Sequence, residues 1–91
     1  MRQVIDGTTY DTSAASLIAI YKSGLANSDL QHCDEALYRK FTGEYFLHGV
    51  GGALTRWHDL EPGGGCLGGE GIAPLTAVEA REWLDSHPGK M

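Results

Sequence analysis

The sequence predicts an α+β fold in which a small antiparallel sheet of three to five strands carries two packed helices. Two hairpin signals favour the sheet, because Asp6-Gly7 and Thr42-Gly43 each lie between runs of β-favouring residues. Two capped amphipathic segments, one toward each end of the chain, favour the helices. The length of 91 residues suits one domain, so residues 1–91 are interpreted as a single domain.

The N-terminal part predicts a hairpin followed by a helix. Asp6-Gly7 suits a type I′ turn, which needs positive φ at both central residues. A helix of about 11 residues is then expected to begin at Asp11 to Ser13, whose side chains can cap the first turn. Gly24 would end it in a left-handed conformation. Its apolar stripe, with spacings of three and four, would consist of Ala14, Leu17, Ile18 and Tyr21.

The central part predicts a second hairpin that pairs residues 37–41 with residues 45–48. Alternation places Tyr45 and Leu47 on one face, and Phe46 and His48 on the other. Residues 49–52, Gly-Val-Gly-Gly, are expected to end the strand in a tight turn or bulge. Residues 53–60 fit either a further strand or one helical turn. The glycine-rich residues 61–71 predict a mobile surface loop.

The C-terminal part predicts the second helix. Thr76-x-x-Glu79 is a capping box, in which each side chain accepts from the other residue's backbone amide. Leu75 and Ala80 occupy the positions of a hydrophobic staple. Ala80, Trp83 and Leu84 form the stripe that would face the core, and Pro88-Gly89 would stop the helix.

Composition and charge narrow the class of function. Twelve carboxylates against seven Lys and Arg give a net charge of −5, which argues against direct binding to nucleic acid and would favour a basic partner. No apolar run approaches the roughly 18–20 residues that span a bilayer. The start of the chain lacks the apolar stretch of a signal peptide. We therefore expect a cytoplasmic protein that does not bind membranes, with Cys33 and Cys66 as reduced thiols.

The sequence gives no basis for a cofactor, a metal site or catalysis. The soft-metal ligands show no pair with C-x2-C spacing; they are His32, Cys33, His48, His58 and Cys66. The glycines at 49–52 lack the Lys-Ser/Thr of a phosphate-binding loop. Nothing local activates either cysteine as a nucleophile, although a cysteine-dependent enzyme remains a third class to test.

A protein partner is therefore expected, and it would be held by acidic and aromatic side chains. Trp83 belongs to the helical stripe, whereas Trp57 fits either the core or, with Arg56, a binding hot spot. The predicted carboxylates around the second hairpin are Asp29, Asp34, Glu35 and Glu44, and those near the glycine-rich segment are Asp59, Glu61 and Glu70. The predicted anchors are Tyr45, Arg56 and Trp57.

Residues 38–52, Tyr-Arg-Lys-Phe-Thr-Gly-Glu-Tyr-Phe-Leu-His-Gly-Val-Gly-Gly, carry a recognisable pattern. It resembles a family of small proteins from phages, prophages and plasmids, with Tyr-Arg, a Gly-containing turn, aromatic-Phe-Leu and then Gly-x-Gly-Gly. Residues 5–12 match the start of that family and residues 72–84 its end, while residues 57–71 depart from its pattern.

The resemblance implies a lineage on mobile genetic elements, whose small acidic proteins often inhibit host defence and include anti-CRISPR proteins. Together with the short chain and its charge, it suggests a non-catalytic inhibitor that binds a host defence complex, with a CRISPR effector as the candidate partner. The alternative is a regulatory or antitoxin-like protein that acts as a homodimer or with a cognate partner.

Overall fold

The computed structural model describes residues 1–26, 28–60, 63 and 65–86. Its centre is an antiparallel sheet of β3 (Ala15–Lys22), β4 (Cys33–Lys40), β5 (Tyr45–Gly51) and β8 (Gly69–Leu75), paired in the order β3-β4-β5-β8. Two ribbons accompany it, β1 (Arg2–Ile5) with β2 (Thr8–Asp11) and β6 (Asp59–Leu60) with β7 (Cys66–Leu67). The helix α1 spans Ala77–Ser86.

The prediction of an α+β fold with two helices is wrong, because the described part of the chain is mostly β and contains a single α-helix. The segment predicted as the first helix is strand β3. Asp11 does cap a turn, and its carboxylate accepts from the Ser13 amide at 3.0 Å, but this is only the 3-10 turn Thr12–Ala14. A β-bulge between Leu17 and Ala19 interrupts the two-residue alternation and so produces the helix-like apolar spacing.

Both predicted hairpins are confirmed. Asp6 and Gly7 have φ of 50° and 78°, as a type I′ turn requires, and they connect β1 to β2. β4 and β5 pair on either side of a turn in which Gly43 has a φ of 102°. Leu37 lies opposite Leu47 in this pair, so Tyr45 and Leu47 share one face of the sheet as predicted.

The glycine-rich segments differ from the prediction because they contribute to strands. Residues 49–51 continue β5 instead of ending it. Residues 53–60 consist mainly of turns and reach a strand only at β6. The predicted loop at 61–71 is wrong where β7 and the first residues of β8 form, and residues 61, 62 and 64 lie outside the described residues.

A tryptophan explains the glycine at residue 49 of β5. A Cβ on Gly49 would overlap Cε2 of Trp57, so a side chain at residue 49 would displace the indole. Gly71 pairs with Gly49 across the two strands and would place a Cβ 3.6 Å from the same ring. The indole therefore packs against the main chain of this glycine pair, and Gly49 is the position at which a side chain would displace it.

The predicted capping box is confirmed at the start of α1. The Thr76 amide donates to Oε1 of Glu79 at 2.9 Å, and the Glu79 amide donates to Oγ1 of Thr76 at 3.1 Å. Ala80 and Trp83 are buried, as the stripe predicted. The predicted stop at Pro88-Gly89 lies outside the described residues.

The two faces of the sheet are covered differently. One face, which we call the helix face, packs against α1 and Trp57, and its buried residues are Ala19, Leu37, Leu47, Trp57, Ala80 and Trp83. The opposite face, which we call the hairpin face, buries Phe46 and Ile72 under Tyr10 of the β1–β2 hairpin. Tyr10 meets Phe46 edge-on, with ring centroids 5.4 Å apart. Among the described residues, the β1–β2 hairpin covers only the end of this face that contains Phe46 and Ile72.

Candidate partner-binding surface

The other end of the hairpin face is an uncovered surface that runs across all four strands. We call it the open end, and it consists of Ile20, Lys22, Asp34, Ala36, His48, Val50 and Glu70. Strand parity places these residues on one side, because Lys22 pairs with Asp34, Asp34 with Val50, and Val50 with Glu70. Ile20 and Val50 are each 39% exposed, so the surface combines apolar and charged side chains.

Two carboxylates of the open end lie close to histidines. Nε2 of His48 is 2.6 Å from Oε2 of Glu70, which is a hydrogen bond between neighbouring strands. Nε2 of His32 is 3.7 Å from Oδ2 of Asp34, which is a looser contact. Asp34 and Glu70 therefore place two acidic side chains on the open end.

A cavity of about 590 Å³ adjoins the open end where β5 and β8 meet the preceding loops. Its lining residues are His32, Asp34, Val50, Gly51, Gly52, Gly68, Gly69 and Glu70. Four of these are glycines, so much of the wall is main chain and a partner group can approach it closely. The His32 side chain is 10% exposed, and its Nδ1 has no hydrogen-bond partner among the described residues.

Asp34 and Glu70 are the two predicted carboxylates that the structure brings together, on the open end and the rim of this cavity. Asp29 is exposed in the loop before β4, where its Oδ1 accepts a hydrogen bond from the Gln31 amide at 2.8 Å. Asp59 is exposed in β6. Glu61 lies outside the described residues.

Glu44 lies in the β4–β5 turn, away from the open end. Its carboxylate lies 3.1 Å from Nζ of Lys40, and hydrogen bonding from Thr42 and then Lys40 lowers the pKa of Glu44. Tyr45 lies on the helix face, with the Arg39 guanidinium 5.7 Å from its ring centroid. The Arg56 guanidinium lies 5.1 Å from the Trp57 ring centroid, so these two predicted anchors contact each other within the chain.

Glu35 and Trp57 lie in the core, which removes them from a partner surface. Trp57 Nε1 donates to Oε2 of Glu35 at 2.7 Å, and Trp83 Nε1 donates to Oε1 of the same carboxylate at 2.9 Å. One buried carboxylate thus ties α1 and the 52–58 segment to β4, which is a structural role. The sequence did indicate that Glu35 faces the core, because residues i and i+2 of a strand share a face and residue 37 is the apolar Leu37.

Sequence reasoning did not predict which residues lie beside Asp34 on the open end, namely Ile20, Lys22, His48 and Val50. The position of Val50 could have been predicted, because Val50 lies between two glycines of a strand and therefore points to the opposite face from them. Those of Ile20 and Lys22 could not, because the helix predicted there hid their parity.

The environment of Cys33 opposes a nucleophilic role. Burial, followed by the charges of Glu35 and Asp34, raises the pKa of the Cys33 thiol to about 11. The thiol is therefore protonated at neutral pH, and the thiolate is the reactive form. Within the described ranges, His, Cys, Asp and Glu side chains form no group of three that could hold a metal ion.

Comparisons with known proteins add no relative: no protein-family model, curated protein or solved structure matches the chain. Among the described residues, no helix is long and apolar enough to cross a membrane.

Proposed function

We propose that this protein is a non-catalytic inhibitor from a mobile genetic element that binds a host defence complex in the bacterial cytoplasm, with a CRISPR effector as the candidate partner. The open end is the observation that carries the proposal. It leaves Ile20 and Val50 39% exposed beside the carboxylates of Asp34 and Glu70. Apolar side chains that can be desolvated, next to charges that select a partner, are the composition of a protein interface.

Charge supports a basic partner. The chain carries a net charge of −5, and Asp34 and Glu70 add local negative charge on an uncovered face. CRISPR effectors hold nucleic acid in positively charged channels. An acidic domain is steered toward such a channel and competes with DNA for its Lys and Arg side chains. The resemblance to mobile-element proteins supplies the biological setting.

The proposal is tested by a binding measurement on purified effector complexes and by phage plating on a CRISPR-immune host that expresses the protein. We expect stoichiometric binding and restored plating. The double variant Asp34→Asn/Glu70→Gln should weaken binding by about tenfold or more, because two charge pairs with the partner are lost. Val50→Lys should weaken it as well, because a charge would enter the apolar part of the interface.

The matched control removes two charges from a different surface. Glu82→Gln/Asp85→Asn changes exposed carboxylates of α1 by the same amount and should leave binding within about twofold of the original protein. Equal losses in both double variants would mean that only net charge matters, which contradicts a role for the open end. Plating that stays suppressed across the CRISPR types of candidate hosts would refute the inhibitor proposal.

A further inference from the structure

The two edges of the central sheet differ in how they are protected from pairing with another strand. On β8, the Ile72 amide points outward and donates to Oε1 of Gln3 at 3.2 Å. Pro74 has the same parity and offers no N–H, and Glu70 adds a charge to the same edge. A capped amide, a proline and a charge are the usual devices that block further pairing at an edge.

Strand β3 forms the opposite edge and is less protected. Its eight residues contain no proline, and its protection consists of one charge, Lys22, and the bulge between Leu17 and Ala19. Among the described residues, β4 is the sole strand that pairs with β3. Leu17 is 50% exposed and Ile20 39% exposed along this edge. A long apolar edge of this kind is a template for an additional strand.

The strand register shows which N–H and C=O groups of β3 are directed away from β4 and toward a further strand. The Ser23 amide donates to the Cys33 carbonyl at 2.9 Å, so Ser23 and Cys33 form a hydrogen-bonded pair. Such pairs alternate along an antiparallel ladder, which makes Tyr21–Glu35 the next hydrogen-bonded pair. The N–H and C=O groups of Ile20 and Lys22 therefore point away from β4.

We propose that β3 pairs antiparallel with β3 of a second copy of this chain, about a two-fold axis at Tyr21. In this register Ile20 lies opposite Lys22 of the second copy, and Lys22 lies opposite its Ile20. Each of these two facing pairs is joined by two N–H···O=C bonds, so the contact contains four main-chain hydrogen bonds.

Symmetry favours a second copy over a foreign strand. The outward residues 20 and 22 are related by the axis at residue 21, so one contact pairs the outward main-chain groups of both copies. Lys22 faces Ile20 of the other copy, and like charges are not directly opposed. An axis at Ile20 would instead place Lys22 opposite the bulge between Leu17 and Ala19, where regular pairing is lost.

The pairing would extend the sheet across both copies and place their open ends side by side on one face. Ile20 and Lys22 belong to both surfaces, so the dimer contact and the open end would adjoin. This inference does not depend on the proposed function, because self-association is measured without a partner.

The test measures mass and amide exchange of the whole chain over a concentration series from roughly 1 µM to 1 mM. We expect the sedimentation mass to rise from the monomer toward twice that value. Exchange of the Ile20 and Lys22 amides should slow in parallel, because these groups become hydrogen-bonded in the dimer. A protein that remains monomeric at the top of the series would overturn the proposal.

Two variants of Ile20 locate the contact. Ile20→Pro removes an outward N–H that β4 does not use, so the monomer should fold while dimerisation is lost. Ile20→Lys keeps the N–H and adds a charge, which guards against a failure of the proline variant to fold. Both should be monomeric throughout the series.

Val50→Lys is the control, because Val50 has the same exposure on the same face but lies two strands from the edge. It should dimerise as the original protein does. Dimers that persist in both Ile20 variants, or an equal loss in Val50→Lys, would refute pairing through β3.

Discussion

Replacing Glu35 with glutamine tests whether the buried carboxylate holds the helix face together. In the native protein both carboxylate oxygens accept indole N–H groups, at 2.7 Å from Trp57 and 2.9 Å from Trp83. Glutamine has nearly the same shape, but its amide nitrogen is a donor and cannot accept from the second indole. The substitution therefore removes a hydrogen-bond acceptor without opening a cavity.

The expected loss follows from these two bonds. One indole N–H loses its acceptor inside the core, which costs about 1–3 kcal/mol. The other exchanges a charged acceptor for a neutral one, which costs on the order of 1 kcal/mol. The free energy of unfolding should fall by about 2–4 kcal/mol, out of roughly 5–14 kcal/mol expected for a domain of this length.

Urea unfolding followed by circular dichroism measures this loss, because it gives the midpoint and the slope separately. Asp34→Asn is the control, since it makes the same change one residue earlier at a half-buried side chain on the opposite face. It should alter the free energy of unfolding by less than about 0.5 kcal/mol. If Glu35→Gln changed stability no more than Asp34→Asn, the structural role assigned to Glu35 would be wrong.

Three further perturbations test separate parts of the fold. Gly49→Ala should lower the free energy of unfolding by about 2–4 kcal/mol in urea, because its Cβ would displace the Trp57 indole; Gly63→Ala, which meets nothing within 4 Å, should stay within about 0.5 kcal/mol. Thr76→Ala should cost about 1 kcal/mol in thermal unfolding through loss of the cap on α1, and an unchanged melting temperature would contradict this. Cys33 should react with iodoacetamide at neutral pH about tenfold more slowly than an unperturbed thiol, because the rise of its pKa from 9.0 to about 11 lowers the thiolate fraction more than it raises the nucleophilicity of the thiolate; the measurement uses a variant whose other cysteine is serine, and denatured protein should regain the ordinary rate.

The sequence predicted the features whose cause lies within a few residues. The turn at Asp6-Gly7 depends on its own φ angles, and the cap between Thr76 and Glu79 closes over three residues. Both appeared where expected, because no distant contact is needed to form them.

Features that depend on distant contacts were not predictable in this way. β3 is a strand because it pairs with β4, and its bulge gave the apolar residues a helical spacing. Gly49 of β5 is explained by the indole of Trp57, which no local pattern reveals. For the site, Asp34 and Glu70 fall on one surface only because their strands flank β5.

The strand order also has a consequence for folding kinetics. β3, β4 and β5 are consecutive in the chain and in the sheet, so their pairing closes short loops. β8 pairs with β5 only after residues 52–68 have looped back, and α1 follows it. We therefore expect the β4–β5 hairpin to form the nucleus, so that substitutions in its turn slow folding, while substitutions in β8 and α1 mainly accelerate unfolding.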